Sequence, residues 1–138
     1  MEISINWLAV ALATLAGMIV AAAWYGKLFA AAWEKHTGVS SKALTETYGN
    51  KHKLVLLVTN FATALTLAVV VSIVSAYFKD TSVWLALATG FVLWLGLSAA
   101  TLLQHNTFEM KPRQLTTINN TYQLVLYLAI ALVVGLFL

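Results

Sequence analysis

The chain has 138 residues, of which 61% are hydrophobic and 9% are charged, with a formal net charge of +3 and no cysteine. One domain is expected at this length, and a soluble domain of this size has too little interior to hide so much apolar surface. The composition therefore excludes an ordinary soluble domain, and the lack of cysteine excludes disulfides, thiolate nucleophiles and thiolate metal sites.

Four long segments contain no acidic or basic side chain, namely residues 3–26, 54–78, 81–104 and 114–138. Each exceeds the roughly 20 residues that an α-helix needs to cross about 30 Å of hydrocarbon. A lone strand in lipid would leave its backbone groups unpaired, so helices are favoured. We therefore predict an all-α integral membrane four-helix bundle. It forms a single membrane domain over residues 1–138, with spans close to 4–26, 54–78, 82–104 and 114–138.

The first span is predicted to be anchored at both membrane interfaces, by Trp7 at one end and by Trp24–Tyr25 at the other. Its helix is expected to continue through Trp33 to His36. Gly38 then provides a stop, because glycine readily adopts the left-handed conformation that ends helices.

The segment between the first two spans is too long for a simple turn. Ser40 or Ser41 can cap a second short helix there, and Gly49–Asn50 is expected to end it. We predict that this short helical segment lies at the membrane interface.

The other two connections are short. Residues 79–82 join the second and third spans, which should therefore be antiparallel neighbours, and Asp80 or Ser82 can cap the third span. Pro112 suits the first turn of the fourth span. Small residues at helical spacing predict close helix approach, within the bundle or between subunits. They are Ala13, Gly17 and Ala21, then Ala86 and Gly90, then Gly96 and Ala100.

The basic residues are distributed unevenly between the predicted loops. Five lysines lie between the first two spans, and Lys111 and Arg113 lie between the last two, whereas Lys79 stands alone on the opposite side. Lys and Arg are retained on the cytoplasmic side of a membrane. We therefore expect a multi-pass protein of the inner membrane, with both termini outside and the basic loops cytoplasmic. A dual-topology protein is the alternative, and it would need a near-even count.

Polar side chains gather in the half of the predicted bundle that faces the basic loops. Thr116, Asn119, Gln123 and Tyr127 recur at three or four residues and share one helical face. That face should point inward, because polar groups against lipid tails are costly. The other spans place polar groups at the same depth. The cluster serves either as interhelical hydrogen bonding or as a ligand pocket.

Several of these residues also carry a family resemblance. The pattern comprises Asn6–Val10, Trp24–Phe29, Trp33, Phe108–Glu109, Pro112, Asn120 and Tyr122. It resembles the bacterial family called domain of unknown function 1761 over most of the chain. The resemblance implies a four-span bacterial membrane protein and implies no activity. It adds weight to Trp24, Tyr25, Gly26, Glu109 and Asn120 as positions of the family pattern, and close packing is the alternative reason for Gly26.

We predict a small binding or transport-type membrane protein that forms a homo-oligomer, since four helices are few to enclose a pathway. Amide side chains both donate and accept, so a lipid or a small polar ligand would suit them. The candidate ligand-binding residues are Trp24, Tyr25, Asn60, Gln104, Glu109, Asn119, Asn120 and Gln123. The alternative is a structural or accessory subunit whose polar face serves helix packing or a partner.

Other classes of function have little support in the sequence. No nucleophile and base stand together, and no spacing guarantees a metal site, so we expect neither an enzyme nor a metal or other cofactor. The basic residues are spread over loops, which favours contact with the lipid bilayer rather than with nucleic acid.

Overall fold

The computed structural model describes residues 3–138, and its dominant elements are four long helices. They are Trp7–Leu28, Lys51–Phe78, Val83–Phe108 and Arg113–Leu136, and each is long and apolar enough to cross a membrane. Two short helices, Ala30–Thr37 and Ser41–Tyr48, lie between the first and second spans. No strand occurs in this part of the chain. The predicted all-α membrane bundle is therefore confirmed, and the chain is a multi-pass membrane protein.

Local capping signals act where the sequence places them. Ser40 Oγ accepts from the Ala43 N–H at 3.0 Å, and Ser82 Oγ accepts from the Leu85 N–H at 3.3 Å. Gly38 adopts a left-handed φ of 70° after the first short helix. The two serine side chains satisfy backbone donors that a helix start leaves free, so these helix boundaries follow from local chemistry.

The first and third spans each contain a π-helical segment that begins at a tryptophan, Trp24–Leu28 and Trp94–Ala99. A π-helical turn changes the register of the helix and often occurs at functional sites. Phe29 then leaves the helical conformation, with φ −123° and ψ 15°. The expected continuous helix through Trp33 is therefore wrong, because the chain bends at Phe29 and a new helix begins at Ala30.

The fourth span lies at the centre of the bundle and packs against the other three. The second span packs against the first and third as well, which leaves the first and third on opposite sides of this central pair. The buried stripe of the fourth span recurs every three or four residues, as Leu115, Ile118, Tyr122, Leu126, Ile130 and Val134.

This apolar stripe corrects the prediction that the polar face of the fourth span points inward. Thr116, Asn119, Gln123 and Tyr127 are only half-buried, at the side of the stripe. Apolar side chains fill the closely packed space between the fourth span and its neighbours. The polar groups can lie at the margin because some of them pair with side chains of other spans.

The third span packs closely on the fourth through small residues. A Cβ added at Gly90 would lie 2.7 Å from Ala131 Cβ, and one added at Gly135 would lie 2.8 Å from Ala86 Cβ. Gly96, in contrast, has no heavy atom within 4 Å of an added Cβ. Of the two small-residue seams predicted in this span, the first therefore packs inside the bundle and the second faces outward.

We name the two ends of the bundle by their chemistry. The basic end carries both short helices and the loop before Arg113, whereas the terminal end carries Asn6, Leu136 and residues 79–82. The helix Ala30–Thr37 packs against the fourth span at the basic end, whereas Ser41–Tyr48 is almost entirely exposed. The first of the two short helices therefore folds back onto the bundle.

Candidate functional site

Five aromatic side chains from three elements pack together at the basic end, and we call them the aromatic cluster. Its members are Trp24, Tyr25, Phe29, Trp33 and Tyr122. The ring centroids of Trp24 and Phe29 are 4.5 Å apart, those of Tyr25 and Tyr122 are 4.7 Å apart, and those of Tyr25 and Trp33 are 5.8 Å apart. The tilted and edge-on geometries are those that aromatic quadrupoles favour. The cluster fixes the first loop to the first and fourth spans.

The two π-helical segments hold neighbouring asparagines of the fourth span from two sides. The Tyr25 hydroxyl donates to Asn119 Oδ1 at 2.7 Å. The Trp94 indole Nε1–H donates to the backbone carbonyl of Asn120 at 3.1 Å. Each segment therefore places an aromatic donor at the same level of the fourth span, and the Asn119–Asn120 pair lies between them.

Two polar atoms of this region are buried without a hydrogen-bond partner among residues 3–138, namely Trp24 Nε1 and Asn120 Oδ1. An unpaired buried polar group costs about 1–3 kcal/mol. Asn120 Oδ1 is therefore an acceptor that no donor among these residues satisfies.

A groove of about 520 Å³ runs between the third and fourth spans beside Asn120. We call it the lateral groove. The indole of Trp94 lies at one end, and the small side chains of Ala99 and Ala100 leave room along the third span. From the fourth span it is lined by Thr116, Thr117, Asn120, Thr121 and Leu124.

A second depression of about 540 Å³ continues the lateral groove towards the basic end. The two share Leu103, Thr116 and Thr117, and the second adds Lys111 and Arg113 at its mouth. The combined surface thus changes from apolar within the span to cationic at the loop.

A hydrogen bond holds Thr116, which lines both depressions. Asn106 is 3% exposed, and its Nδ2 donates to Thr116 Oγ1 at 3.0 Å. Because Thr116 Oγ1 accepts this bond, its own proton remains free to donate. The pair also joins the end of the third span to the start of the fourth.

The structure brings four of the predicted ligand-binding residues to the middle of the basic half. Trp24 is buried, Tyr25 and Asn119 are joined by their hydrogen bond, and Asn120 lines the lateral groove. Gln123 is half-buried on the face that Asn119 shares. These residues surround the fourth span without forming a single pocket, because Asn119 faces the first span and Asn120 faces the third.

The other predicted residues are placed elsewhere. Asn60 is 2% exposed and packs against Gly17, where its Nδ2 donates to the Met18 sulfur at 3.2 Å. Asn60 lies in the predicted half of the bundle, but it lies between the first and second spans and away from the lateral groove. Gln104 is exposed on the outer surface of the third span.

Glu109 is also exposed and lies beyond the end of the third span. Its Oε2 is 2.8 Å from Lys111 Nζ, and this hydrogen bond and positive charge hold the pKa of the Glu109 carboxyl below its usual range. Glu109 therefore belongs to the loop surface and not to the polar centre of the bundle. Within the described residues, no three His, Asp or Glu side chains form a group that could hold a metal ion.

Sequence reasoning missed three contributors to this region. Trp94 lies within an apolar run, and nothing local marks its indole as a donor to the fourth span. Lys111 and Arg113 were counted only for orientation, although they line a depression next to the lateral groove. The position of Pro112 between them, at the start of the fourth span, was the available signal that both would lie beside its first turn.

A family model described as "Protein of unknown function (DUF1761)" matches residues 8–135, which is nearly the whole chain. The chain belongs to the DUF1761 family. The resemblance drawn from the aromatic and asparagine positions is thereby confirmed. No curated protein and no solved structure matches the chain.

The residues that carry the DUF1761 resemblance lie close together in the fold. Trp24–Phe29 contains the first π-helical segment and contributes three members of the aromatic cluster. Tyr122 completes that cluster from the fourth span, and Asn120 lies two residues before it at the lateral groove. In this DUF1761 protein, the aromatic contact between the first and fourth spans thus supports the residue that lines the groove.

Proposed function

We propose that this chain is a small binding-type protein of the bacterial inner membrane, with its ligand in the lateral groove. The observation that supports it is a largely apolar surface groove whose wall contains several polar side chains within a membrane span. Thr116 and Asn120 lie in the first third of the fourth span and face the space beside the third span. Polar groups against lipid tails are costly, so a ligand that hydrogen-bonds there is favoured.

The capacity to bind is concentrated in two side chains. The Thr117 and Thr121 hydroxyls donate to the carbonyls of Arg113 and Thr117, at 3.1 and 2.7 Å, and so satisfy themselves within the helix. Thr116 keeps a free proton, and Asn120 Oδ1 accepts no hydrogen bond from residues 3–138. Both groups are neutral. The Thr116 proton suits a hydroxyl, ester or amide oxygen of a ligand, and the Asn120 oxygen suits a hydroxyl or an amide N–H.

A groove-filling substitution tests this function. Ala100 is exposed and lines the lateral groove, so Ala100→Trp places an indole where the ligand would lie. Ala88→Trp is the matched control, because Ala88 is also exposed on the third span but lies nearer the terminal end. Each protein is purified in mild detergent, and its organic extract is analysed by mass spectrometry.

We expect an amphiphile to co-purify with the wild type and with Ala88→Trp, and to fall at least ~10-fold with Ala100→Trp, which is about 1.4 kcal/mol of binding free energy. Equal recovery from both variants, at equal thermal stability, would contradict the groove as the binding site.

The proposal places the basic end in the cytoplasm and both termini outside. Seven of the eight Lys and Arg residues lie at the basic end, which supports this orientation. The chain contains no cysteine, so single cysteines can be introduced cleanly. A membrane-impermeant thiol reagent is expected to label Thr81→Cys in intact cells and to label Ser41→Cys only after the membrane is opened. Labelling of Ser41→Cys from outside would reverse the orientation.

A second candidate is a structural or accessory subunit, and the outward face of the third span favours it. Gly96, Ala100 and Gln104 recur every four residues on that face and are exposed. Small residues allow close helix approach, and an amide both donates and accepts, so the face is complementary to a second copy of itself. Two copies of the chain would then pair through this face, and the third span of one copy would cover the lateral groove of the other.

Oxidative cross-linking separates the two candidates. If the third spans of two copies meet, Gly96→Cys gives a covalent dimer in native membranes, and Ala22→Cys on the first span does not. Absence of the dimer at both positions would remove the second candidate and leave the groove open to a ligand.

A further inference from the structure

The mouth of the lateral groove carries a positive charge that the protein does not neutralise. Lys111 and Arg113 both line it, and Glu109 pairs with Lys111 at 2.8 Å. No carboxylate pairs with Arg113 within the described part of the chain. One cation therefore remains without an internal partner, and it is a guanidinium, whose planar donors match the oxygens of a phosphate.

Hydroxyl groups lie just inside this charged mouth. Thr107, Thr116 and Thr117 line the same depression as Arg113. Thr116 is held by Asn106 and has its proton free to donate. It lies three residues beyond Arg113, which is about 4.5 Å along the helix axis. A ligand with oxygens just below a phosphate would find a donor there.

The length of the groove selects the class of ligand. Its fourth-span lining extends from Arg113 to Leu124, which is about 16 Å at 1.5 Å per residue. One leaflet of a bilayer contributes about 15 Å of hydrocarbon, half of the full thickness. Beyond Asn120 the lining is Leu95, Ala99, Leu124 and the Trp94 ring, which offer contacts to an acyl chain and few to a small polar molecule.

From these observations we propose that the groove binds a phospholipid with an anionic headgroup, taken from the leaflet at the basic end. This inference rests on the proposed function, because it names the ligand of the same groove. The phosphate lies at Arg113 and Lys111, the glycerol esters lie near Thr116, and one acyl chain lies along the third span over Ala99 and Ala100. The uncompensated cation favours a net negative headgroup over a zwitterionic one.

The test compares lipids of equal chain length and different headgroup charge. The purified protein in detergent is titrated with phosphatidylglycerol and with phosphatidylcholine, and bound lipids are counted by native mass spectrometry. We expect the wild type to bind phosphatidylglycerol at least ~10-fold more tightly. Arg113→Gln should abolish this preference, and Arg113→Lys should keep most of it.

Lys53→Gln is the control for general surface charge, since Lys53 is an exposed cation at the same end on another span. It should keep the preference, and equal loss in Lys53→Gln and Arg113→Gln would overturn the proposal. Inorganic phosphate should not displace the lipid, because it cannot occupy the apolar part of the groove. Displacement by inorganic phosphate would show a phosphate site without lipid recognition.

The experiment distinguishes an error in the proposed headgroup preference from an error in the proposed binding site. If both lipids bind equally and both are lost in Ala100→Trp, the groove is a binding site and the preference for anionic lipid is wrong. If neither lipid responds to Ala100→Trp, the proposed function itself is wrong.

Discussion

Replacement of Gly90 by alanine is expected to destabilise the bundle by about 1–3 kcal/mol, the usual cost of overpacking. The new Cβ would lie 2.7 Å from Ala131 Cβ and 3.3 Å from the Tyr127 carbonyl oxygen, so the third and fourth spans must move apart. Gly96→Ala is the matched control on the same span, because no heavy atom lies within 4 Å of its added Cβ. Its expected change is smaller than about 0.5 kcal/mol. Unfolding in detergent, followed by circular dichroism, measures both.

A second-site change makes this prediction sharper. Ala131→Gly removes the nearest atom to the Cβ of Gly90→Ala, so the double variant should recover most of the lost free energy of unfolding. If Gly96→Ala destabilises as much as Gly90→Ala, or if Ala131→Gly gives no rescue, the third span packs through a different face.

The second large effect is expected at Tyr122, the member of the aromatic cluster supplied by the fourth span. Its side chain is 5% exposed and its ring centroid lies 4.7 Å from that of Tyr25. Tyr122→Ala should lower the free energy of unfolding by about 3 kcal/mol, because it leaves a cavity where aromatic side chains met. Tyr77→Ala is the control, since Tyr77 is 76% exposed at the terminal end.

Loss of Tyr122 should also release the first loop. The backbone amides of Ala30–Thr37 are expected to exchange hydrogen faster in Tyr122→Ala and to stay unchanged in Tyr77→Ala. Equal unfolding free energies for the two variants, with no faster exchange in Ala30–Thr37, would show that the aromatic cluster does not anchor this helix.

Much of the fold follows from local properties of the sequence. Uncharged segments longer than a bilayer define the four spans, because charge in hydrocarbon is costly wherever it lies. The cap at Ser40, the cap at Ser82 and the stop at Gly38 depend on one or two neighbouring residues, so sequence reasoning finds them. These features need no knowledge of which helix faces which.

The features that sequence reasoning missed depend on how helices are rotated against one another. Gly90 and Gly96 both lie in small-residue patterns, yet only Gly90 meets another span. An apolar helix in lipid has no hydrophobic face to distinguish inside from outside, so the pattern leaves its rotation open. The π-helical segments at Trp24 and Trp94 change that rotation further, and no single residue marks them.

The candidate site shows the same limit. Depth along the membrane was predictable, since Asn60, Gln104 and Asn120 all lie within spans whose ends were defined. The direction in which each side chain points was not predictable from the sequence. Asn60 faces the first span, whereas Gln104 faces outward. Asn119 and Asn120 are adjacent, but a helix turns by about 100° per residue, so Asn119 bonds Tyr25 of the first span whereas Asn120 lines the groove beside the third span.

The lateral groove connects these observations. The aromatic cluster and the Tyr25–Asn119 bond fix the fourth span against the first, whereas the Trp94 indole fixes it against the third. Asn120 is thereby held at a set depth beside small alanines, under a mouth that carries Arg113. The side of the fourth span that carries Thr116 and Asn120 faces the third span, and this arrangement supports the proposed recognition of a lipid.

A structure determined in nanodiscs that contain both phosphatidylglycerol and phosphatidylcholine would show directly whether a lipid occupies the lateral groove. We predict elongated density along the third and fourth spans, with its phosphate next to Arg113 and its chain over Ala99 and Ala100. The same density should be lost in Ala100→Trp. A groove closed by a second copy of the third span, or occupied only by annular lipid with no density at Arg113, would contradict lipid binding in the lateral groove.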